Sequence, residues 1–322
     1  MPIERHDIES REQWLALRLN NVNASEVAIV CGEGAYGSLA ELYAEKKGLR
    51  PPRADTALLR RGRWGEAAVF EALADERPEW VVVRGKVYLC DPALRLGATP
   101  DGFALAPDRD GPGVVQAKVI SRTMFRQRWL TDPNDFDGDA TVPGYYVLQT
   151  LTEAMLAQAA WAMVAVLVVS EFDMQLRLFD VPRDLAIEGE IVKNVGAFWR
   201  DYFDPGIMPE FDPQQDEALI RALYPRDSGS TVDLSGDNRA LAAVEEMTEG
   251  QAALKRIGAN VAAVRTELAG KLGAHSYGLL ADGRRLSFRQ QHRKGYTVEP
   301  SDYRVLRVLK PGRGRTTEED EQ

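Results

Sequence analysis

The chain has 322 residues and a formal net charge of -9 at pH 7, enough for one large domain with an appendage or for two modest domains. Apolar residues at 44% and charged residues at 28%, with 27 Gly and 17 Pro, exclude a collagen-like, fibrous or wholly disordered chain. The acidic balance disfavours diffuse attraction to phosphate, but binding depends on where charge lies, so nucleic acid stays open as a partner.

Residues 1–14 are charged and lack the apolar stretch of a signal peptide, so no export is expected. Cys31 and Cys90 offer neither a CxxC pair for zinc nor a disulfide framework, which fits a reducing compartment such as the cytosol. Ser10 is placed to cap an amphipathic run through Trp14, Leu15 and Leu17, and residues 38–47 carry Leu39, Leu42 and Tyr43 on one helical face before Gly48. A third helix is predicted over 60–76. From Glu79 the period changes to short Val-rich runs at 80–83, 86–89, 102–105 and 114–120, parted by Asp, Pro and Gly turns, which predict a small sheet. Helix returns over 145–160, residues 162–170 and 174–180 read as paired strands, and 182–202 as a helix. The most apolar stretch, 155–169, is shorter than the roughly 20 residues a bilayer helix needs, and Gln149, Glu153 and Gln158 pattern the segment leading into it. It reads as core. Helices flanking a mixed sheet make an α/β architecture.

Residues 204–237 lose this pattern: Pro205, Pro209, Pro213 and Pro225 stand among Asp204, Glu210, Asp212, Asp216, Glu217, Asp227 and Asp233, the composition of an acidic, Pro-rich linker. Residues 238–272 return to helical spacing, and 277–288 read as a β-hairpin turning at Asp282-Gly283. Residues 238–315 hold 15 Lys and Arg against 7 Asp and Glu, so the acidic surplus lies elsewhere, including the tail at 316–322. The expected division is a domain at 1–203, the linker, a helical and hairpin module at 238–315, and the tail.

The most informative segment is Thr99-Pro100-Asp101-Gly102-Phe103, some fifteen residues before Val114-Val115-Gln116-Ala117-Lys118-Val119-Ile120. Side chains alternate along a strand, so Gln116 and Lys118 share a face, and Asp101 at the preceding turn is placed to meet them. An acid, an amide and backbone oxygens make the hard donor set that Mg2+ or Mn2+ accepts, and a nearby ammonium orients water or offsets developing phosphate charge, which points to phosphodiester hydrolysis. Either piece alone is ordinary, since Pro-Asp-Gly is a common turn and a lysine ending an apolar strand is usually solvated.

In this order and spacing the two segments resemble the PD-(D/E)XK nucleases, and more narrowly the lambda-exonuclease and YqaJ-like viral recombinase family. Gly62-Arg63-Trp64-Gly65-Glu66 is similar to the family's helix whose glutamate faces the metal centre, and the segment from Val142-Pro143-Gly144-Tyr145 to Gln149 is similar to its helix beside the active site. Arg18 and Ser25, in Arg18-Leu19-Asn20-Asn21-Val22-Asn23-Ala24-Ser25, resemble the stretch that holds a 5'-terminal phosphate; a guanidinium fork and a hydroxyl at a helix start suit that anion. The resemblance covers residues 10–180. It implies a PD-(D/E)XK fold with a central mixed sheet flanked by helices, and a Mg2+- or Mn2+-dependent exonuclease that resects linear double-stranded DNA from the 5' end and leaves 3' single strands. It implies Asp101, Gln116 and the Ala117 carbonyl as metal ligands, Lys118, Glu66 and Gln149 as groups positioning the attacking water, a homotrimeric ring around DNA, a single-strand annealing recombinase as partner, and the cytoplasm of a phage- or prophage-bearing bacterium. Arg284, Arg285, Arg289, Arg293 and Lys294, interleaved with Tyr277, Phe288 and Tyr296, either track a DNA backbone or form a solvated hairpin face.

The family pattern has Glu or Asp where this chain has Gln116. The amide keeps the shape and removes one negative charge, weakening attraction for a cation. Three accounts stay open: a deliberate substitution, a relative that binds DNA ends without cutting, or a working variant relying on Glu66 and Asp101. A RecB-type repair nuclease or an endonuclease would share the same core. Other signals carry no site. Asp135, Asp137 and Asp139 lack the glycine and closing glutamate of a calcium loop; the glycines at 32, 34 and 37 follow a helix rather than a strand; and His6, His275 and His292 show no ligand spacing.

Overall fold

Short polar side chains start the helices where the sequence places them. Ser10, Ser38, Thr56, Asp184 and Asp237 each accept a hydrogen bond from a backbone N–H of the first turn and so satisfy donors that the helix leaves orphaned. The structure, a computed structural model, describes residues 2–34, 37–50, 56–295 and 303–308; Tyr296 and the tail at 316–322 lie outside these. Two compact units form, Met1–Leu223 and Tyr224–Gln322.

The first unit runs β1 (Glu4–Asp7), α1 (Arg11–Leu19), β2 (Val22–Asn23), a 3-10 turn (Ala24–Glu26), α2 (Val27–Val30), α3 (Leu39–Lys46), α4 (Ala57–Glu76), β3 (Val81–Arg84), β4 (Val87–Asp91) and β5 (Leu96–Ala98). It continues with β6 (Gly102–Leu105), β7 (Gly113–Ser121), α5 (Arg122–Arg128), α6 (Gly144–Leu156), β8 (Trp161–Val169), β9 (Met174–Val181), α7 (Leu185–Phe198) and α8 (Glu217–Leu223). The five-stranded sheet has the order β3-β6-β7-β8-β9; β7 and β8 are parallel and the other pairs antiparallel, so it is mixed. Alternation along β7 and β8 divides the core. Val114, Val164 and Val166 pack with Leu151 and Ala154 of α6 and Ile191 and Val195 of α7, while Val115, Ala117, Met163 and Ala165 meet Val69, Phe70 and Leu73 of α4. Each Val, Leu, Ile, Phe or Met side chain among these contributes about 1.5–3 kcal/mol when fully buried. The fold is therefore α/β, with α4 on one face of a central mixed sheet and α6 and α7 on the other.

The expected single small sheet is corrected. The run at 86–89 belongs to a second sheet of order β1-β4-β5-β2, because β4 pairs with β1 and with the three-residue β5, which is too short to show a period. The helix expected over 145–160 stops at Leu156: Gln158 turns left-handed at φ 53 and Ala159 N–H closes on Ala154 C=O at 2.9 Å, a helix-ending geometry that releases the chain into β8. The apolar stretch at 155–169 is thus largely β8, and no helix among the described residues is long and apolar enough to cross a membrane.

The linker reading of 204–237 is corrected over its first half. Met208, Phe211, Leu219 and Leu223 pack with Ala40 and Ala44 of α3, and buried Asp216 accepts a hydrogen bond from Ser38 Oγ at 2.6 Å. Proline and acid composition hid this docking, which depends on a partner far away in sequence. The second unit contains α9 (Asn238–Leu272), with no buried side chain, and a hairpin of β10 (Tyr277–Leu279) and β11 (Arg285–Ser287); Gly283 takes φ 84 at its turn, as the Asp-Gly signal requires.

Two glycines of the first unit give opposite expectations. A Cβ on Gly85 would stand 1.9 Å from the Pro100 carbonyl oxygen, whereas one on Gly62 in α4 meets nothing within 4 Å. Gly85→Ala is expected to destabilise by roughly 1–3 kcal/mol or more through forced backbone movement, and Gly62→Ala to stabilise by about 0.4–1 kcal/mol, both read from denaturant unfolding.

Candidate active site

The site forms where a strand ends early. β6 pairs with β7 only from Gly113 to Val115, so beyond Val115 that edge of β7 has no strand beside it among the described residues. The turn leading into β6 fills the gap: Gly85 N–H donates to the Asp101 carbonyl at 2.7 Å, and the Asp101 carboxylate turns onto the β7 edge. Its Oδ2 accepts from Ala117 N–H at 2.9 Å and from the Gln116 side-chain amide. A strand residue's N–H and C=O point to the same side, so the Ala117 carbonyl lies on this edge too.

The hydrogen-bonded chain continues into α6. Gln149 Nε2 donates both to Gln116 Oε1 and to Glu153 Oε1, each at 2.9 Å. Lys118 lies on the Gln116 face with its Nζ 4.8 Å from the centroid of the Tyr146 ring. From the opposite layer, α4 presents Glu66, whose Oε2 stands 3.9 Å from Arg84 Nη2; a Cβ on Gly65 would sit 2.5 Å from a Val119 methyl, so only glycine lets α4 approach this closely. The structure therefore brings Glu66, Asp101, Gln116, Lys118 and Gln149 together around the open edge of β7.

Glu153 is the member that sequence reading used only to mark the helix as patterned. It is 1% exposed, and its Oε2 is buried without a partner among the described residues. An acid one turn beyond Gln149 on a helix lined by Leu151, Ala154 and Leu156 was the available signal. Burial raises the Glu153 carboxyl well above its ordinary range, with Asp101 adding to the rise and Gln149 and Lys118 opposing it. Burial and then Asp101 push Glu66 up to about 7 against Arg84 and Lys118. Burial also raises Asp101, despite Lys118 and the donors from Ala117 and Gln116. Three carboxyls thus share the pocket with Lys118 and Arg84, and the available ligand atoms are all oxygen, a set suited to a hard divalent cation. The orphaned Glu153 oxygen fits the same requirement. These carboxylates are not drawn tightly together: among the described residues, the one set of three His, Cys, Asp or Glu ligand atoms within 4.8 Å of one another is Glu4, His6 and Cys90 on β1 and β4. Strand pairing assembles that set, which explains why spacing did not show it.

Arg18 and Ser25 also meet. Arg18 Nη2 lies 3.3 Å from Ser25 Oγ, but it also donates to Glu26 Oε1 at 3.0 Å. Buried Lys46 pairs with Glu26 Oε2 at 2.7 Å, and Asn23 N–H closes a capping box on the same carboxylate at 2.9 Å. Burial would raise the Glu26 carboxyl, but Lys46 and Arg18 outweigh it and hold it below its ordinary range. This arm is tied to the Asp101 turn by Trp14 Nε1, which donates to Thr99 Oγ1 at 3.0 Å. In the second unit, Arg285 and Arg289 stand over the Tyr277 ring at 4.4 and 6.0 Å, and Arg284 pairs with Asp282 at 2.6 Å.

Solved structures are similar to this fold. An alkaline exonuclease, LHK-Exo, from Laribacter hongkongensis is 23% identical with a TM-score of 0.44, over 59% of this chain and 91% of that one. A phage-related exonuclease from Haemophilus somnus 129PT is 11% identical with a TM-score of 0.43, over 57% of this chain and 94% of that one. No curated protein matches the sequence significantly. The family model described as the YqaJ-like viral recombinase domain matches residues 13–160, a span that holds Arg18, Ser25, Glu66, Asp101, Gln116, Lys118, Gln149 and Glu153. Over residues 13–160, a little under half its length, the chain is thus similar to the YqaJ-like viral recombinase domain.

Proposed function

We propose that the chain is a metal-dependent exonuclease that resects linear double-stranded DNA from its 5' end and leaves 3' single strands for recombination. The observation that carries this reading is the continuous hydrogen-bonded path from Asp101 through Gln116 and Gln149, alongside Lys118, on an open strand edge in a YqaJ-like domain. Asp101, the Ala117 carbonyl and Gln116 would hold Mg2+ or Mn2+; rotating the Gln116 amide about its last bond brings its oxygen to the Asp101 side. Such a cation lowers the pKa of water and stabilises charge on the phosphate. Lys118, Glu66 and Gln149 position the attacking water, while Arg18 and Ser25 hold the terminal phosphate and Lys46 retains Glu26. A homotrimeric ring around the duplex and a single-strand annealing recombinase as partner complete the reading, in the cytoplasm of a bacterial host.

A second reading has one observation in its favour: Gln116 donates to Asp101, tying down the oxygen a cation would take. On that reading the chain binds DNA ends without cutting them.

Blunt linear DNA with 5' phosphates should lose nucleotides when incubated with the unaltered chain and Mg2+ or Mn2+, and closed circular DNA should stay intact. Lys118→Ala and Asp101→Asn should each slow release by about 100-fold or more. End binding with no release by either the unaltered chain or Gln116→Glu, at any concentration of either metal, would favour the binder; cutting of circles would favour an endonuclease. Arg18→Gln should bring rates on 5'-phosphorylated and 5'-hydroxyl ends together.

Electrostatics give a further expectation without DNA. Folded Glu66, Asp101 and Glu153 hold their protons to higher pH than when unfolded, so this part of the stability is present in acid and is lost as pH rises. In EDTA the melting temperature should fall as pH rises from 4.5 to about 7, the span set by the Glu66 shift. Glu66→Gln should flatten that slope, and Mg2+ should restore stability at the upper end.

A further inference from the structure

We infer that Glu153 supplies the acidic metal ligand that position 116 lacks, so that the carboxylate has moved from β7 to α6 with the charge of the pocket preserved. The inference rests on the metal-site reading above.

Gln116 is 1% exposed and both ends of its amide are used: the nitrogen donates to Asp101 and the oxygen accepts from Gln149. A carboxylate here could not donate to Asp101, so the site as built calls for an amide. Gln149 then has a second N–H, which it gives to Glu153 Oε1. One amide side chain is therefore all that separates Gln116 from a full carboxylate, and the spacing of four residues puts Gln149 and Glu153 on one face of α6.

Glu153 has no structural reason to be acidic. Its neighbours Leu151, Ala154 and Leu156 are core residues, and among the described residues no Lys, Arg or His pairs with it. Gln149 fixes Oε1, and Oε2 has no hydrogen-bond partner among the described residues. Buried acids are retained where they are paired or coordinate metals, and Asp101, Glu66 and Lys118 are near enough to act on this one. Asp101 and Glu153 together restore the two carboxylates expected of a strand that carries an acid at position 116. A core glutamic acid kept neutral by its burial is the competing account, and it gives the opposite result below.

The test uses Mn2+ without DNA, following free Mn2+ by electron paramagnetic resonance and the metal-induced rise in melting temperature. The proteins are the unaltered chain, Asp101→Asn, Glu153→Gln, Gln116→Glu and the double variant Gln116→Glu/Glu153→Gln. Glu153→Gln should weaken Mn2+ binding by about tenfold or more, and the double variant should recover to within about threefold of the unaltered chain, as should its nuclease rate. Unchanged Mn2+ affinity in Glu153→Gln overturns the inference. So does an unaltered chain that binds no Mn2+ while Gln116→Glu binds it; in both cases the nuclease reading survives. Failure of every chain to bind Mn2+, or binding indifferent to Asp101→Asn, removes the metal-site reading and the inference with it. Should Glu153→Gln not fold by circular dichroism, Gln116→Glu decides: a gain in affinity below about threefold supports a set already complete, and a gain of tenfold or more overturns it.

Discussion

The site depends on an unequal pairing of strands. β7 runs nine residues, Gly113–Ser121, but β6 accompanies it only to Val115. Backbone groups left along a strand edge need partners, and here the partner on the open side is the Asp101 carboxylate, which accepts the Ala117 N–H. That one bond fixes where the acid sits, which way the Ala117 carbonyl faces and which side chains share the pocket. β8, pairing with β7 over its whole length, keeps the open edge rigid.

Two helices complete the site from opposite layers, by different devices. α4 comes close to β7 because Gly65 has no side chain to meet Val119, and so delivers Glu66. α6 packs through Leu151 and Ala154 and delivers Gln149 and Glu153 on one face. The crowding of carboxyls is the electrostatic cost of this arrangement. Burial is the main cause of the raised proton affinities of Glu66, Asp101 and Glu153, neighbouring carboxyls add to it for Glu66 and Glu153, and Lys118 with Arg84 offsets only part of it.

Much of this was legible in the sequence because local rules governed it. Ser10 and Ser38 announce their helices by capping chemistry, Asp282-Gly283 announces its turn, and alternation along 114–120 alone puts Gln116 and Lys118 on one face. What stayed hidden depends on partners distant in the chain. β5 is three residues long and exists through β4 and β2. Asp216 looks like linker composition until Ser38 is placed beside it. Arg18 reads as a free guanidinium, because its pairing with Glu26 requires the 3-10 turn to fold the acid back toward α1. Glu153 looks like a patterning residue in an apolar helix, and its isolation appears only once the neighbours are known.

Trp14 stands at the junction of the two halves of the site. The Arg18 guanidinium lies 4.7 Å from its ring centroid, and its indole N–H holds Thr99, two residues before Asp101. An anion at Arg18 would therefore alter the surroundings of an indole that is also a mechanical link to the Asp101 turn. The protein carries an intrinsic fluorophore between the Arg18 guanidinium and the Asp101 turn, so a change at either end of that link reaches the same indole.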